Sequence, residues 1–170
     1  TIGSGSTLNL YDCGTTPHYF TFVDNGPWTY EGTTAPSGKT VVDLANFDRA
    51  TAAEKVIRVP GGCITGGTGT YIDNNYIEGG GVYVNGGSFT LIGGNIIGNS
   101  ESGDYVGGGG VYVNGDSVNG GSFTMSGGNI AGNFVSNSAT EWGGAIYNSN
   151  GVMGDITGDF VNNSAKSHGG

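Results

Sequence analysis

The stretch Gly80-Gly-Val-Tyr-Val-Asn-Gly-Gly-Ser-Phe-Thr-Leu-Ile-Gly-Gly-Asn-Ile-Ile-Gly-Asn99 returns twice before the end of the chain. The second copy reads Gly109-Gly-Val-Tyr-Val-Asn114 with Gly121-Ser-Phe-Thr-Met-Ser-Gly-Gly-Asn-Ile-Ala-Gly-Asn133. The third reads Gly143-Gly-Ala-Ile-Tyr-Asn148 with Asp155-Ile-Thr-Gly-Asp159. Self-similarity at this period is the mark of a solenoid. Tyr83, Tyr112 and Tyr147 follow one another at steps of 29 and 35 residues. Extra Gly, Ser and Asn at the turns absorb the difference.

Within each copy, glycine-containing turns separate three short apolar runs, which in the first copy are Val82-Tyr83-Val84, Phe89-Thr90-Leu91 and Ile96-Ile97. They alternate with period two and favour β-branched and aromatic residues, and none reaches helical length, so they read as strands. Three strands and three turns in about 25 to 30 residues make one rung of a parallel β-helix, in which each strand pairs with its equivalent one rung along. The chain is therefore expected to be an all-β solenoid with three short strands per rung. Alternation sends Val82, Val84, Phe89, Leu91 and Ile96 inward and Tyr83 and Thr90 outward. Stacking in register predicts one inner file of Val82, Val111 and Ile146 and another of Ile96, Ile130 and Ile156.

The 37 glycines among 170 residues would suit a low-complexity tail if they lacked a period. Here they supply the positive φ angles that corners between strands need, and Asn85, Asn114 and Asn148 tolerate the same conformations. The length fits one domain, residues 1–170. Five cations against 14 acids give a formal charge of −9, the wrong sign for a nucleic acid or an anionic membrane. No apolar run is long enough to cross a bilayer. The repeat predicts a further copy after Gly169-Gly170, and the absence of an initiator Met reads as an excised piece of a longer protein. Low Lys with abundant Gly, Asn, Thr and Ser suits a secreted or cell-surface microbial protein.

Residues 14–62 differ in character. They hold Tyr19-Phe-Thr-Phe22, Trp28-Thr-Tyr30, Val41-Val-Asp-Leu44 and Val56-Ile-Arg-Val59, together with four of the five cations. They read as a β excursion inserted in an N-terminal rung, with Cys13 and Cys63 at its two roots. A disulfide there would close a loop of about 50 residues and contribute roughly 3 to 4 kcal/mol on the loop-entropy account; two unpaired buried thiols are the alternative. The distance between the cysteines, and between His18 and His168, argues against a metal site.

Gly143-Gly-Ala-Ile146, Phe134-Val-Ser-Asn137 and Phe160-Val-Asn-Asn163 resemble the Gly-Gly-Ala-Ile and Phe-x-x-Asn repeats of autotransporter passengers of the polymorphic outer-membrane-protein type. The wider Gly-Gly-Val-Tyr-Val-Asn-Gly-Gly-Ser-Phe-Thr pattern is similar to that of adhesin-like surface proteins of gut microbes. The resemblance covers about residues 63–170 and implies a right-handed parallel β-helix in an exported adhesin or surface protein. These motifs encode rungs rather than sites. The first two copies depart from the family by carrying Gly-Val-Tyr-Val in place of Gly-Ala-Ile.

Polysaccharide lyases and hydrolases also use parallel β-helices, and their chemistry needs clustered carboxylates, commonly beside a cation. The repeat region offers one cation, Lys166, and acids mostly at turns. Asp155 and Asp159 are close enough in sequence for a casual calcium site. No catalytic residue and no resident cofactor is assigned. The candidate ligand surface is aromatic: an outward file of Tyr83, Tyr112 and Tyr147, on which sugar rings could rest, and Trp28 in the insertion. Stacking within the fold explains the same residues equally well. The expected function is a structural and adhesive segment that binds a glycan or a surface protein. A carbohydrate-active β-helix is the alternative, and a filament subunit self-associating through open β-helix ends is a third.

Overall fold

A computed structural model describes residues 1–12, 14–24, 26–68, 71–72, 76–77, 79–102, 106–115, 120–136 and 141–166, with 71–72, 76–77, 102, 106, 134–136 and 141 described through their backbone. The first rung opens with β1 (Ile2–Gly3) and β2 (Thr7–Leu10). The chain then leaves for β3 (Pro17–Thr21), β4 (Thr29–Gly32), β5 (Val41–Asp43) and β6 (Val56–Pro60), and returns in β7 (Cys63–Ile64). A short antiparallel ribbon follows, β8 (Tyr71–Ile72) with β9 (Tyr76–Ile77). The second rung is β10 (Val82–Asn85), β11 (Ser88–Leu91) and β12 (Asn95–Ile97), then β13 (Ser100–Ser102) and β14 (Val106–Gly107). The third repeats this as β15 (Val111–Asn114), β16 (Ser122–Met125), β17 (Asn129–Ala131), β18 (Phe134–Ser136) and β19 (Glu141–Trp142). The last is β20 (Ile146–Ser149), β21 (Val152–Ile156), β22 (Asp159–Val161) and β23 (Ser164–Ala165).

Equivalent strands stack in parallel to form β1-β10-β15-β20, β2-β11-β16-β21 and β7-β12-β17-β22, the three walls of a β-solenoid. The rung carries more than the three strands expected. Between its third wall and the next rung, the chain adds β13-β18-β23 and β14-β19.

Alternation sorts the core as the pattern predicts. Val84, Phe89, Leu91 and Ile96 are buried together with their partners Val113, Phe123, Met125 and Ile130. Phe89 and Phe123 stack with centroids 5.3 Å apart, which adds ring–ring attraction to the area buried. The file of Val82, Val111 and Ile146 forms as expected. The other does not: Ile130 pairs with Phe160, and Ile156 pairs with Met125. Ile156 lies in the second wall, and Asp159-Phe160 takes the place of Asn129-Ile130 in the third; a bulge between Phe123 and Met125 on the β16–β21 pair also puts one extra residue into β21.

The corner after the third wall has its own logic. Gly66, Gly98, Gly132 and Asn162 adopt φ of 71°, 56°, 63° and 50°, the left-handed region that favours Gly and Asn. Next come Asn99, Asn133 and Asn163, which form a ladder inside the solenoid. Asn99 Nδ2 donates to Asn133 Oδ1 at 3.0 Å, and Asn133 Nδ2 donates to Asn163 Oδ1 at 2.9 Å. The same side chains bond the backbone: Asn133 Oδ1 accepts from the Asn99 amide, and Asn133 Nδ2 also donates to the Ile96 carbonyl at 3.0 Å. A buried polar side chain is tolerable because these bonds satisfy it.

The glycine pairs mark where the chain leaves and re-enters the rung. A Cβ on Gly80 would lie 2.7 Å from the Ser100 carbonyl oxygen, and one on Gly81 would lie 2.8 Å from Asn99 Nδ2. The repeated Gly-Gly therefore serves a close crossing of backbones rather than flexibility.

The segment between β2 and β7 forms a separate sheet of order β4-β3-β6-β5, with β5–β6 parallel and the other pairs antiparallel. Its two ends meet at the solenoid, where the Gly62 amide donates to Asp12 Oδ1 at 3.3 Å. Phe20, Phe22, Trp28 and Phe47 build its core, which continues onto Ile97, Ala131 and Val161 on the outer face of the third wall. The Asn162 side chain donates to the Phe47 carbonyl, so the insertion lies along the solenoid rather than at its end.

Candidate binding groove

Tyr83, Tyr112 and Tyr147 occupy equivalent outward positions of β10, β15 and β20. Their ring centroids are 5.1 and 5.2 Å apart, about one rung spacing. The file is in register, yet it is not the open flat strip expected from alternation. The rings tilt by 37° and 39°, and Tyr112 is only 8% exposed. The chain returning through β14 and β19 packs on Tyr147, where a Cβ on Gly107 would collide with the ring and Trp142 stacks with centroids 5.5 Å apart, and a Cβ on Gly79 would lie 2.9 Å from Tyr112 Cβ. Burial pushes the Tyr112 phenol up to about 12, against a hydrogen bond with Ser149 that pulls it down.

What stays open is one edge of this file. Tyr83, Tyr112, Asn114, Gly115, Ser149 and Asn150 line a groove of about 300 Å³. Asn114 Nδ2 donates to the Tyr83 hydroxyl at 3.2 Å and to Asn85 Oδ1 at 3.1 Å. The third member of that asparagine series turns away, because Asn148 closes a local turn, accepting from the Gly151 amide at 2.8 Å and donating to the Gly151 carbonyl at 3.1 Å. Asn150, at φ 62°, brings the turn to the groove's edge. Among the described residues the lining is phenol, amide and hydroxyl, without a carboxylate, imidazole, thiol or ammonium. Such a surface offers donors and acceptors to hydroxyl groups and ring faces to apolar ones.

Near the covered side of Tyr112 lies Glu101, a residue sequence reading left among the acids at turns. It is 1% exposed, neither carboxyl oxygen has a hydrogen-bond partner among the described residues, and burial pushes its pKa up to about 10. The group is therefore a neutral acid at pH 7. Only the three-dimensional cover supplied by the extra strands distinguishes it from a solvated glutamate.

Trp28 does not belong to an exposed surface. It is 3% exposed and packs edge-on to Phe47 at 5.0 Å. A second cleft, of about 290 Å³, lies between the insertion and the solenoid, lined by Asp43, Leu44, Ala45, Asn46, Arg58, Pro60 and Asn129. Its charges neutralise each other, with Arg58 Nη1 2.9 Å from Asp43 Oδ1. Asp155 and Asp159 are both exposed, and among the described residues no cluster of three or more His, Cys, Asp or Glu side chains could hold a metal ion. Cys63 is a half-buried thiol whose pKa burial raises, while Cys13, His168 and Asn137 lie outside the described residues. The two Phe-x-x-Asn stretches fall at different places in the rung: Phe160 continues the Ile96–Ile130 file, whereas Phe134 belongs to β18. No helix is long and apolar enough to cross a membrane among the described residues.

No protein-family model, curated protein or solved structure matches this chain.

Proposed function

We propose that this chain is a rigid structural and adhesive segment of an exported microbial surface protein, and that the groove from Tyr83 to Asn150 takes a neutral glycan. The observation that carries this reading is the groove's lining, two tyrosines beside Asn114, Ser149 and Asn150, on a chain of net charge −9. Sugars present hydroxyls and an apolar ring face, and this lining offers a counterpart to each. The acidic surface disfavours anionic ligands. The likeness of the repeat to adhesin-like surface proteins supports the exported location. A ring contact contributes about 1 kcal/mol, so a single groove should bind in the micromolar to millimolar range, and adhesion would need many copies acting together.

The test is glycan-array binding by the chain, followed by titration of a neutral hit against the Asn114→Ala and Tyr83→Ser variants, with the fold checked by circular dichroism. Each variant should weaken binding several-fold, and raising the salt should change little. Binding that survives both substitutions, or that requires an anionic glycan and collapses in salt, rejects the groove.

A further inference from the structure

The cations of this chain are gathered in one place. Residues 14–62 hold four cations against five acids, whereas the rest of the chain holds one against nine. Most of the insertion's charges are already engaged. Arg49 Nη1 lies 2.6 Å from Asp24 Oδ1, and Arg58 Nη1 lies 2.9 Å from Asp43 Oδ1. Asp48 accepts from the Ala50 amide and the Thr51 hydroxyl, and Glu31 accepts from the Thr21 hydroxyl at 2.6 Å. Lys39, Glu54 and Lys55 remain, and among the described residues none of the three forms an ion pair.

These three line the same recess. Gly38, Lys39, Thr40, Ala53, Glu54 and Lys55 surround about 290 Å³, at the end of the insertion sheet where Thr21 pairs with Val56, opposite the roots at Pro17 and Pro60. The Val56 amide donates to the Thr40 carbonyl and the Lys55 amide to the Ala52 carbonyl, both at 2.9 Å. Two turns are thus tied together, and each carries one lysine. The turn that brings Lys55 to the recess is strained, since Glu54 stands at φ 65°, a left-handed conformation that a residue with a Cβ seldom takes.

We infer that this recess binds an acidic sugar residue, with its carboxylate or sulfate against Lys39 and Lys55 and its hydroxyls on Thr40 and Glu54. Ammonium groups on flexible stems recognise charge rather than a planar fork, so either oxyanion serves. Glu54 repels a bare anion but accepts hydrogen bonds from hydroxyls, and the Thr40 hydroxyl can donate or accept. The lining contains no large apolar side chain that would anchor a peptide. A net charge of −9 opposes anions at long range. At physiological salt, however, exposed charges act over about 8 Å, and every acid of the insertion other than Glu54 has a partner. The groove beside Tyr83 lies on the first wall, whereas the insertion packs on the third. The two sites therefore stand or fall separately, and salt tells them apart.

Nuclear magnetic resonance titration of the isotope-labelled chain tests the proposal. The probes are a disaccharide carrying glucuronate, one carrying a sulfate ester, their neutral parent and inorganic sulfate. At least one acidic disaccharide should shift the amides of residues 38–40 and 53–55, bind about ten-fold tighter than the neutral parent, and weaken several-fold in high salt. Lys39→Gln with Lys55→Gln should remove this binding and leave the urea midpoint unchanged, because neither side chain has a partner to lose. Lys39→Arg with Lys55→Arg should retain it, and Asn114→Ala, which tests the groove, should not affect it. Amides that do not move with either acidic disaccharide overturn the inference. So does a neutral parent that binds equally well, or a Gln double variant that still binds. Inorganic sulfate binding as tightly as the disaccharides overturns it as well, since the recess would then hold an adventitious ion only.

Discussion

The backbone amide of Trp28 donates to the carbonyl of Gly98 at 2.9 Å, and the indole fills the space that a Cβ on Gly98 would need. Gly132, one rung along, meets the same ring. A single tryptophan thus spans two corners of the solenoid, and the corner glycines serve both their positive φ and the docking of the insertion.

Trp28→Ala should therefore cost about 3 to 5 kcal/mol, as for other large-to-small changes of a buried aromatic. Gly132→Ala should destabilise too, because the new methyl meets both an unfavourable φ and the indole. Urea denaturation followed by circular dichroism measures both. A Trp28→Ala chain with unchanged midpoint would show that the insertion holds to the solenoid without it.

The asparagine ladder makes a second test. Asn133→Leu keeps the size but removes the bonds that Asn133 makes to the Asn99 amide, to one N–H of the Asn99 side chain, to the Ile96 carbonyl and to Asn163 Oδ1. Unpaired buried polar groups cost about 1 to 3 kcal/mol each, so a loss of several kcal/mol in chemical denaturation is expected. Asn85→Leu, at the exposed end of β10, should cost far less, and equal losses at the two sites would dissolve the distinction between buried and exposed asparagines.

Glu101 gives stability a pH dependence of definite sign. The folded chain keeps this carboxyl protonated up to about pH 10, while the unfolded chain releases the proton near pH 4.3, the ordinary value for Glu. Between these values the unfolded state binds fewer protons, so the stability present below the lower pKa falls by up to about 1.4 kcal/mol per pH unit as pH rises. Glu101→Gln removes that titration. The variant should gain on the wild type by a few kcal/mol between pH 5 and pH 7, measured as the difference in unfolding free energy. Parallel pH profiles for the two chains would show that the carboxyl is ionised in the folded state.

The insertion's roots approach each other at Asp12 and Gly62, adjacent in sequence to Cys13 and Cys63. Mass spectrometry of non-reduced peptides should find the two cysteines linked when the chain is made in an oxidising compartment. Alkylation of both under native, unreduced conditions would reject the link.

Local pattern determined the walls. Period-two alternation is a property of neighbouring residues, so Val82, Val84, Phe89, Leu91 and Ile96 read as inward before any contact was known, and recurrence of the motif put Tyr83 beside Tyr112. The same locality limits it. Whether an outward residue meets solvent depends on what the chain lays over it from far away. β14 and β19 pack on Tyr147, the insertion buries Trp28, and burial turns Glu101 into a neutral acid. The ladder of Asn99, Asn133 and Asn163 was equally hidden, because an asparagine beside a glycine looks like a turn until its partner one rung along is in place. Motif alignment also misplaced Ile156, because this isoleucine belongs to the second wall beneath Met125, and the third wall's counterpart of Asn129-Ile130 is Asp159-Phe160. The sequence by itself determined the rung and which of its residues face inward, because those follow from short-range sterics and burial. Only the tertiary structure decided which outward residues form a groove and which are buried, because both depend on long-range cover.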